Sequence, residues 1–160
     1  MAIPYKLALS TLLDAARTTV AAVVSMLLAR ALKLPEYYWA PISAIVIIQS
    51  TIDPRTLAWQ RFAGTALGAV LAASIATFFA TFVPATALVY AVAIFLCGVL
   101  CALLRIRGAY RFAAITLSII LLIAHQSAAW IVSWHRFVEV SLGIAVALIV
   151  AELWPSRTSL

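Results

Sequence analysis

Long apolar runs, separated by short polar stretches, dominate the chain. Between Arg61 and Arg105 lie 43 consecutive residues without a charged side chain, interrupted by the helix breaker Pro84. Since a helix of about 20 apolar residues crosses the hydrocarbon core, this run is long enough for two crossings joined by a turn. The runs do not alternate with period two, which excludes a membrane β-barrel. The pattern therefore predicts membrane-spanning helices.

Applied to the whole chain, the same pattern predicts an all-α integral membrane protein with six spans in a single domain, residues 1–160. The predicted spans lie within residues 7–32, 37–52, 62–81, 85–104, 110–129 and 137–154. A cleaved signal peptide is the alternative interpretation of the first span. Asp14 and Arg17 interrupt its apolar core, which argues against that alternative.

Composition excludes several classes of protein. Of the 160 residues, 66% are apolar and 10% charged, whereas soluble domains are about 45–50% apolar and about 25% charged. A soluble domain and a disordered chain are therefore excluded. The net charge of +6 does not indicate nucleic acid, because the 11 lysines and arginines are spaced between apolar runs. The predicted partner is the lipid bilayer.

The distribution of basic residues predicts the orientation. With six spans, the side of the termini carries Lys6, Arg55, Arg61, Arg105, Arg107, Arg111 and Arg157. The opposite side carries Arg30, Lys33 and Arg136. Because loops on the cytoplasmic side are enriched in lysine and arginine, both termini are predicted to be cytoplasmic.

An internal repeat divides the chain into two similar halves. Residues 59–72 match residues 134–147 at an offset of 75, and residues 37–43 match residues 110–116 at an offset of 73. The repeated unit is thus three helices, about residues 7–81 and 85–154. Because three is odd, the second copy enters the membrane from the opposite side, an architecture that recurs in secondary transporters. Duplication in a structural protein is the alternative.

The second and fifth spans are the shortest, and short segments at corresponding places in two halves indicate a binding site near the midplane. Ser43 and Gln49 on the second span and Thr116 on the fifth are predicted to line that site. Small residues on the third and sixth spans, Gly64, Gly68 and Gly143, are predicted to let helices pack closely.

Charged residues within the spans are the candidates for chemistry. Arg61 and Arg136 begin the third and sixth spans, where each either holds a carboxylate or anchors its helix at the headgroups. Glu139, three residues beyond Arg136, is the first candidate for a proton-coupling group, and Asp14, beside Arg17, is the second. The alternative for both carboxylates is a structural ion pair.

No residues predict a cofactor or an enzyme. His125 and His135 have no cysteine or carboxylate at metal-site spacing, and no nucleophile elbow or phosphate loop occurs in the sequence. No metal site and no catalytic residue are expected.

Three segments carry a resemblance to a known family. They are YWAPISA at residues 38–44, RFAGTALG at residues 61–68, and residues 136–155 with Glu139 and Gly143. These segments resemble the six-helix inner-membrane module of the fusaric acid resistance, or aromatic acid exporter, family. The six-helix domain of the plant aluminium-activated malate channels is similar.

The resemblance implies export of aromatic carboxylic acids across the bacterial inner membrane, driven by the proton gradient. Arg61 and Arg136 would hold the carboxylate and Glu139 would exchange protons. The chain stops at Leu160 without a cytosolic domain or a second module, which predicts a twofold homodimer. A passive anion channel and a non-transporting assembly subunit are the alternative functions.

Overall fold

The computed structural model of the chain describes residues 5–79, 87–123 and 129–154, and these residues form helices and short connections without a strand. The helices are α1 (Tyr5–Ala31), α2 (Trp39–Ile48), α3 (Pro54–Phe79), α4 (Ala87–Leu103), α5 (Tyr110–Ile123) and α6 (Ala129–Leu153). A single 3-10 turn, Arg107–Ala109, precedes α5. The predicted all-α fold with six helices is confirmed. The turn expected at Pro84 lies outside the described residues.

Two of the described helices are long and apolar enough to cross a membrane, namely Thr11–Ala31 and Pro54–Phe78. Trp39–Ile48 and Ala87–Leu103 are apolar but shorter. With 10 and 14 residues, α2 and α5 are the shortest of the six helices, as the sequence predicts. Six membrane crossings stay a prediction.

Helices α3 and α6 each begin eight residues earlier than predicted, at Pro54 and Ala129. At the start of α3, the Thr56 N–H and hydroxyl donate to Asp53 Oδ2, at 2.9 and 3.1 Å. Asp53 is therefore the N-cap, and Pro54 occupies the first helical position, where its missing N–H has no cost. Arg61 and Arg136 lie inside these helices and do not mark their starts.

The early part of α6 is helical because it buries one face. Ala129, Ser133, Arg136 and Val140 are buried, and their spacing of four, three and four residues places them on one side of a helix. The predicted connection between the fifth and sixth spans is thus partly helix. Arg136 lies about two turns inside α6 instead of at its start.

The ends of α1 and α4 have the same geometry. Lys33 and Arg105 adopt the left-handed conformation, with φ of 54° and 58°. The next residue of each connection donates its N–H to the carbonyl five residues earlier, Leu34 to Ala29 at 3.1 Å and Ile106 to Cys101 at 2.9 Å. This is the Schellman motif, and a basic side chain there interacts favourably with the negative end of the helix dipole.

Contacts divide the chain into two compact units, of which the first comprises residues 1–57 and 141–160. In this unit α1 packs against α2, and α6 approaches α2 at Gly143. A Cβ atom on Gly143 would lie 2.2 Å from the carbonyl oxygen of Ala40. The end of α6 is held by Arg55, whose Nη2 lies 2.7 Å from Oε1 of Glu152.

The second unit, residues 58–140, has the corresponding contact between α3 and α5. A Cβ atom on Gly68 would lie 2.3 Å from the carbonyl oxygen of Ala113. Helix α4 packs on α5 and completes a small apolar core. That core includes Ala72, Ala93, Cys97, Leu117 and Ile120.

We expect Gly68→Ala and Gly143→Ala each to lower the apparent thermal midpoint of the detergent-solubilised protein. The added methyl group collides with a backbone carbonyl, and overpacking of this kind costs about 1–3 kcal/mol. Gly98→Ala is the matched control, because its methyl would lie 3.3 Å from the Tyr110 side chain, which can move. An equal loss of stability in all three variants would contradict the backbone-contact explanation.

Capping by Asp53 predicts a pH dependence. The hydrogen bonds from Thr56 hold the pKa of Asp53 below its ordinary value of 3.8, so the cap stabilises the fold above that pH and is lost as the pH falls. Asp53→Ala should therefore lower the thermal midpoint at pH 7, and its difference from wild type should shrink below about pH 4. Asp53→Asn, which caps without titrating, should show no such convergence.

Candidate functional site

Buried polar side chains concentrate in one of the two units. Among the described residues eight polar or charged side chains are buried, and six of the eight lie within residues 58–140. These six are Arg61, Thr65, Thr116, Ser133, Arg136 and Glu139. In an apolar chain, charged groups removed from water need solvation by other protein groups. The set defines the candidate site, which we call the arginine cluster.

Both predicted arginines are enclosed by protein. Arg61 on α3 is 7% exposed and Arg136 on α6 is 2% exposed. An arginine that anchors a helix at the headgroups extends its guanidinium away from the protein surface, so burial favours a position inside the protein for both side chains. The guanidinium groups of Arg61 and Arg111 both lie against the ring of Phe112.

Helices α3 and α6 run antiparallel through the cluster. The rings of Phe62 and Phe137 lie 5.0 Å apart, and the Ser133 hydroxyl donates to the Ala69 carbonyl at 3.2 Å. Residue numbers rise along α3 as they fall along α6, so Arg61 lies within a helical turn of the level of Glu139. The two arginines approach the middle of the helix pair from opposite ends.

The same direction holds at the far end of α3. There Trp130 Nε1 donates to the Thr77 hydroxyl at 3.1 Å. Three contacts along the two helices thus agree that the helices run antiparallel.

Glu139 is fully buried on α6. It follows Arg136 by three residues, which places both side chains on the same face of the helix. A carboxylate in an apolar interior is stable when it is paired with a cation or protonated, and the two arginines supply cations at this level.

An aromatic ring lies among the arginines. The Cζ atom of Arg61 is 5.1 Å from the centroid of the Phe112 ring, and that of Arg111 is 4.7 Å from it. Both distances are within the range of cation–π attraction. Sequence reasoning assigned Arg111 to membrane anchoring and did not identify Phe112. The alignment of Phe112 with Trp39 in the other repeat was the available signal.

The structure separates the other predicted site residues. Thr116 is buried and is itself a member of the arginine cluster. Ser43 belongs to the other unit, where its hydroxyl donates to the Trp39 carbonyl at 2.7 Å. Gln49 is exposed at the end of α2 and donates its amide to the Thr18 hydroxyl. Asp14 is half-buried on α1.

The predicted packing glycines all lie at close helix contacts. Gly64 faces α5, where an added Cβ atom would lie 2.4 Å from the Ala109 carbonyl oxygen and 2.9 Å from Phe112 Cβ. Gly68 and Gly143 make the backbone contacts described above. Gly64 lies three residues beyond Arg61, so this contact brings α5 against the buried arginine.

Within the part of the chain that the structure describes, no group of three or more histidine, cysteine or acidic residues has metal-site geometry. Cys97 and Cys101 are buried free thiols. His125 lies outside the described residues.

Comparison with protein families gives one match. The model of a family described as fusaric acid resistance protein-like matches residues 21–150, a range that contains the whole arginine cluster. No curated protein and no solved structure matches the chain.

Proposed function

Since the chain belongs to the fusaric acid resistance protein-like family, a family of membrane transporters, we propose that it exports small aromatic carboxylates across the bacterial inner membrane with coupling to protons. Family membership itself implies a membrane transport or efflux role. The identity of the substrate, the coupling to protons and the location in the bacterial inner membrane are our proposal.

The arginine cluster is the observation that carries the proposal. Arg61 and Arg136 come from antiparallel helices, are buried, and each directly precedes one ring of the Phe62–Phe137 contact that joins those helices. A guanidinium binds a carboxylate through two parallel N–H···O hydrogen bonds and keeps its charge at every physiological pH. Two such groups, reached from opposite ends of a helix pair, suit an anion that is passed between the two sides of a membrane.

Glu139 gives the cluster its response to protons. When ionised, Glu139 neutralises one arginine charge, and when protonated it leaves that charge available to an anion. The protonation state of Glu139 therefore sets the affinity for the carboxylate, and by linkage the bound carboxylate changes the affinity for the proton. In an apolar environment this coupling is strong because the charges are weakly screened.

We also propose that α1–α3 and α4–α6 are inverted repeats, with both termini cytoplasmic. Three pairs of contacts support this. Gly68 contacts Ala113, and Gly143 contacts Ala40. Gly68 aligns with Gly143 at the offset of 75, and Ala40 aligns with Ala113 at the offset of 73. Each half therefore supplies the glycine of one contact and the alanine of the other. The pair Arg55–Glu152 corresponds in the same way to the pair Trp130–Thr77 at the offset of 75.

The third pair of equivalent contacts is formed at the C-terminal ends of α1 and α4. The left-handed residues Lys33 and Arg105 close equivalent helices with the same hydrogen bonds. Equivalent contacts at aligned positions support the proposal that the two halves arose by duplication. Assembly as a homodimer stays a prediction from the sequence.

Inverted repeats place Lys33 and Arg105 on opposite sides of the membrane. In a background with Cys97 and Cys101 replaced by alanine, a membrane-impermeant maleimide should label Lys33→Cys from the periplasmic side and Arg105→Cys from the cytoplasmic side. Asp53→Cys is the control and should label with Arg105→Cys. Labelling of Lys33→Cys and Arg105→Cys from the same side would eliminate the inverted repeat.

The transport proposal predicts that proteoliposomes accumulate benzoate when a pH step is imposed. Glu139→Gln keeps the shape of the side chain but cannot titrate, so it should abolish accumulation while flux down a benzoate gradient persists. Arg61→Gln and Arg136→Gln should each lower the flux about tenfold or more, since a hydrogen bond to a charged group contributes about 1.5–3 kcal/mol. Arg107→Gln, an exposed arginine, is the control.

Other outcomes identify other functions. A wild-type protein that only dissipates gradients, with Glu139→Gln unchanged, is a passive anion channel. Full flux in both buried-arginine variants would remove their role in binding. Absence of flux for every organic anion, together with co-purification of another membrane protein, would indicate an assembly subunit.

A further inference from the structure

Beyond the buried arginines, the start of α5 carries a second feature suited to an aromatic anion. Arg111 and Arg61 share the ring of Phe112, with Cζ atoms 4.7 and 5.1 Å from its centroid. The two Cζ atoms are therefore within about 10 Å of each other, a distance over which like charges still interact in a protein. A negative group that reaches either guanidinium is attracted by both.

Exposure decreases from one arginine to the next. Arg111 is exposed, whereas Phe112, Arg61 and Arg136 are 6%, 7% and 2% exposed. An anion in solution can reach Arg111 directly, whereas the Phe112 ring and Arg61 are enclosed by protein. An exposed cation and a buried cation thus lie against the same aromatic ring.

Helix packing fixes the position of the ring. The missing side chain of Gly64 lets α5 approach α3, and the space for its Cβ atom is filled by Phe112 Cβ and the Ala109 carbonyl. Gly64 follows Arg61 by about one turn, so the same contact places the ring beside the buried guanidinium. Glu139 is the residue equivalent to Gly64 in the other repeat. A glycine contact of this kind therefore places an aromatic ring beside only one of the two buried arginines, Arg61.

We propose that Arg111 and Phe112 form the outer binding subsite for aromatic carboxylates, from which the acid passes to Arg61. This inference rests on the proposed function, and it names the residues that would make the transporter select aromatic over aliphatic acids. Arg111 binds the carboxylate, and the edge of the Phe112 ring, whose face carries the two guanidinium groups, packs against the aromatic ring of the ligand in an edge-to-face geometry. An aliphatic acid of the same size obtains the charge interaction without the ring contact.

Benzoate and cyclohexanecarboxylate, which have equal charge and similar size, separate these two contributions. In proteoliposome flux, wild type should show a lower KM for benzoate. Phe112→Leu should reduce the ratio of the two KM values by about two- to fivefold, and Phe112→Tyr, which keeps the ring, should preserve it. Arg111→Gln should raise both KM values about tenfold with little change in kcat.

Arg107→Gln is the matched control, because it removes an exposed arginine of the same connection without touching the ring. An unchanged KM in Arg111→Gln, or a loss equal to that in Arg107→Gln, would overturn the role of Arg111. Because Arg111 is exposed, its variant tests the subsite even where Phe112→Leu unfolds. An unchanged KM ratio in folded Phe112→Leu would overturn the role of the ring.

Binding measured without transport distinguishes failure of the subsite from failure of the exporter. Benzoate should raise the thermal midpoint of the detergent-solubilised wild type, and the shift should be smaller in Arg111→Gln than in Arg107→Gln. If this pattern appears without flux, the transport proposal fails and the subsite stands. If flux occurs and the shift is equal in the two variants, the subsite fails and the transport proposal stands.

Discussion

Direct contact between helix backbones is the interaction on which the rest of the structure depends. At Gly68 and at Gly143 the neighbouring carbonyl oxygen occupies the space of a Cβ atom. In lipid, apolar side chains gain little from meeting one another, so helices associate through close packing at small residues. The contact at Gly68 brings α3 to α5 in the unit that holds the arginine cluster, and the contact at Gly143 brings α6 to α2 in the other unit.

Burial of the arginines follows from that packing. Arg61 precedes Gly64 and Gly68 by one and two turns, so its side chain leaves the helix on the face that α5 covers. An isolated arginine in such a place would be costly in an apolar surround. The nearby ring of Phe112 offsets part of that cost through cation–π attraction, and Glu139 lies within about a helical turn of the same level on α6.

The sequence predicts much of the helical architecture because apolar runs and spacing are local properties. The six helices, the short second and fifth members, and the matching offsets can all be read along the chain. The starts of α3 and α6 could not be placed by treating Arg61 and Arg136 as helix ends, since tertiary packing buries both residues about two turns inside. The capping pattern Asp53-Pro54 and the buried spacing from Ala129 carried the missing information. Gln49 lies just beyond the end of α2 and is exposed, and its role in lining a site stays a prediction.

Differences between the equivalent contacts matter as much as their correspondence. The pair Arg55–Glu152 is ionic and exposed, whereas its counterpart Trp130–Thr77 is a neutral hydrogen bond. Salt and pH weaken an exposed ion pair far more than they weaken a neutral contact. Two inverted repeats with identical contacts would give two states of equal energy, one open to each side. Because the contacts at equivalent ends differ, the two states would not have equal energy. The presence of Glu139 at the position that corresponds to Gly64 in the other half adds a second difference at the centre. In the proposed inverted repeat the two states therefore differ in energy and in their response to salt and pH, whereas the proton and substrate gradients set the direction of transport.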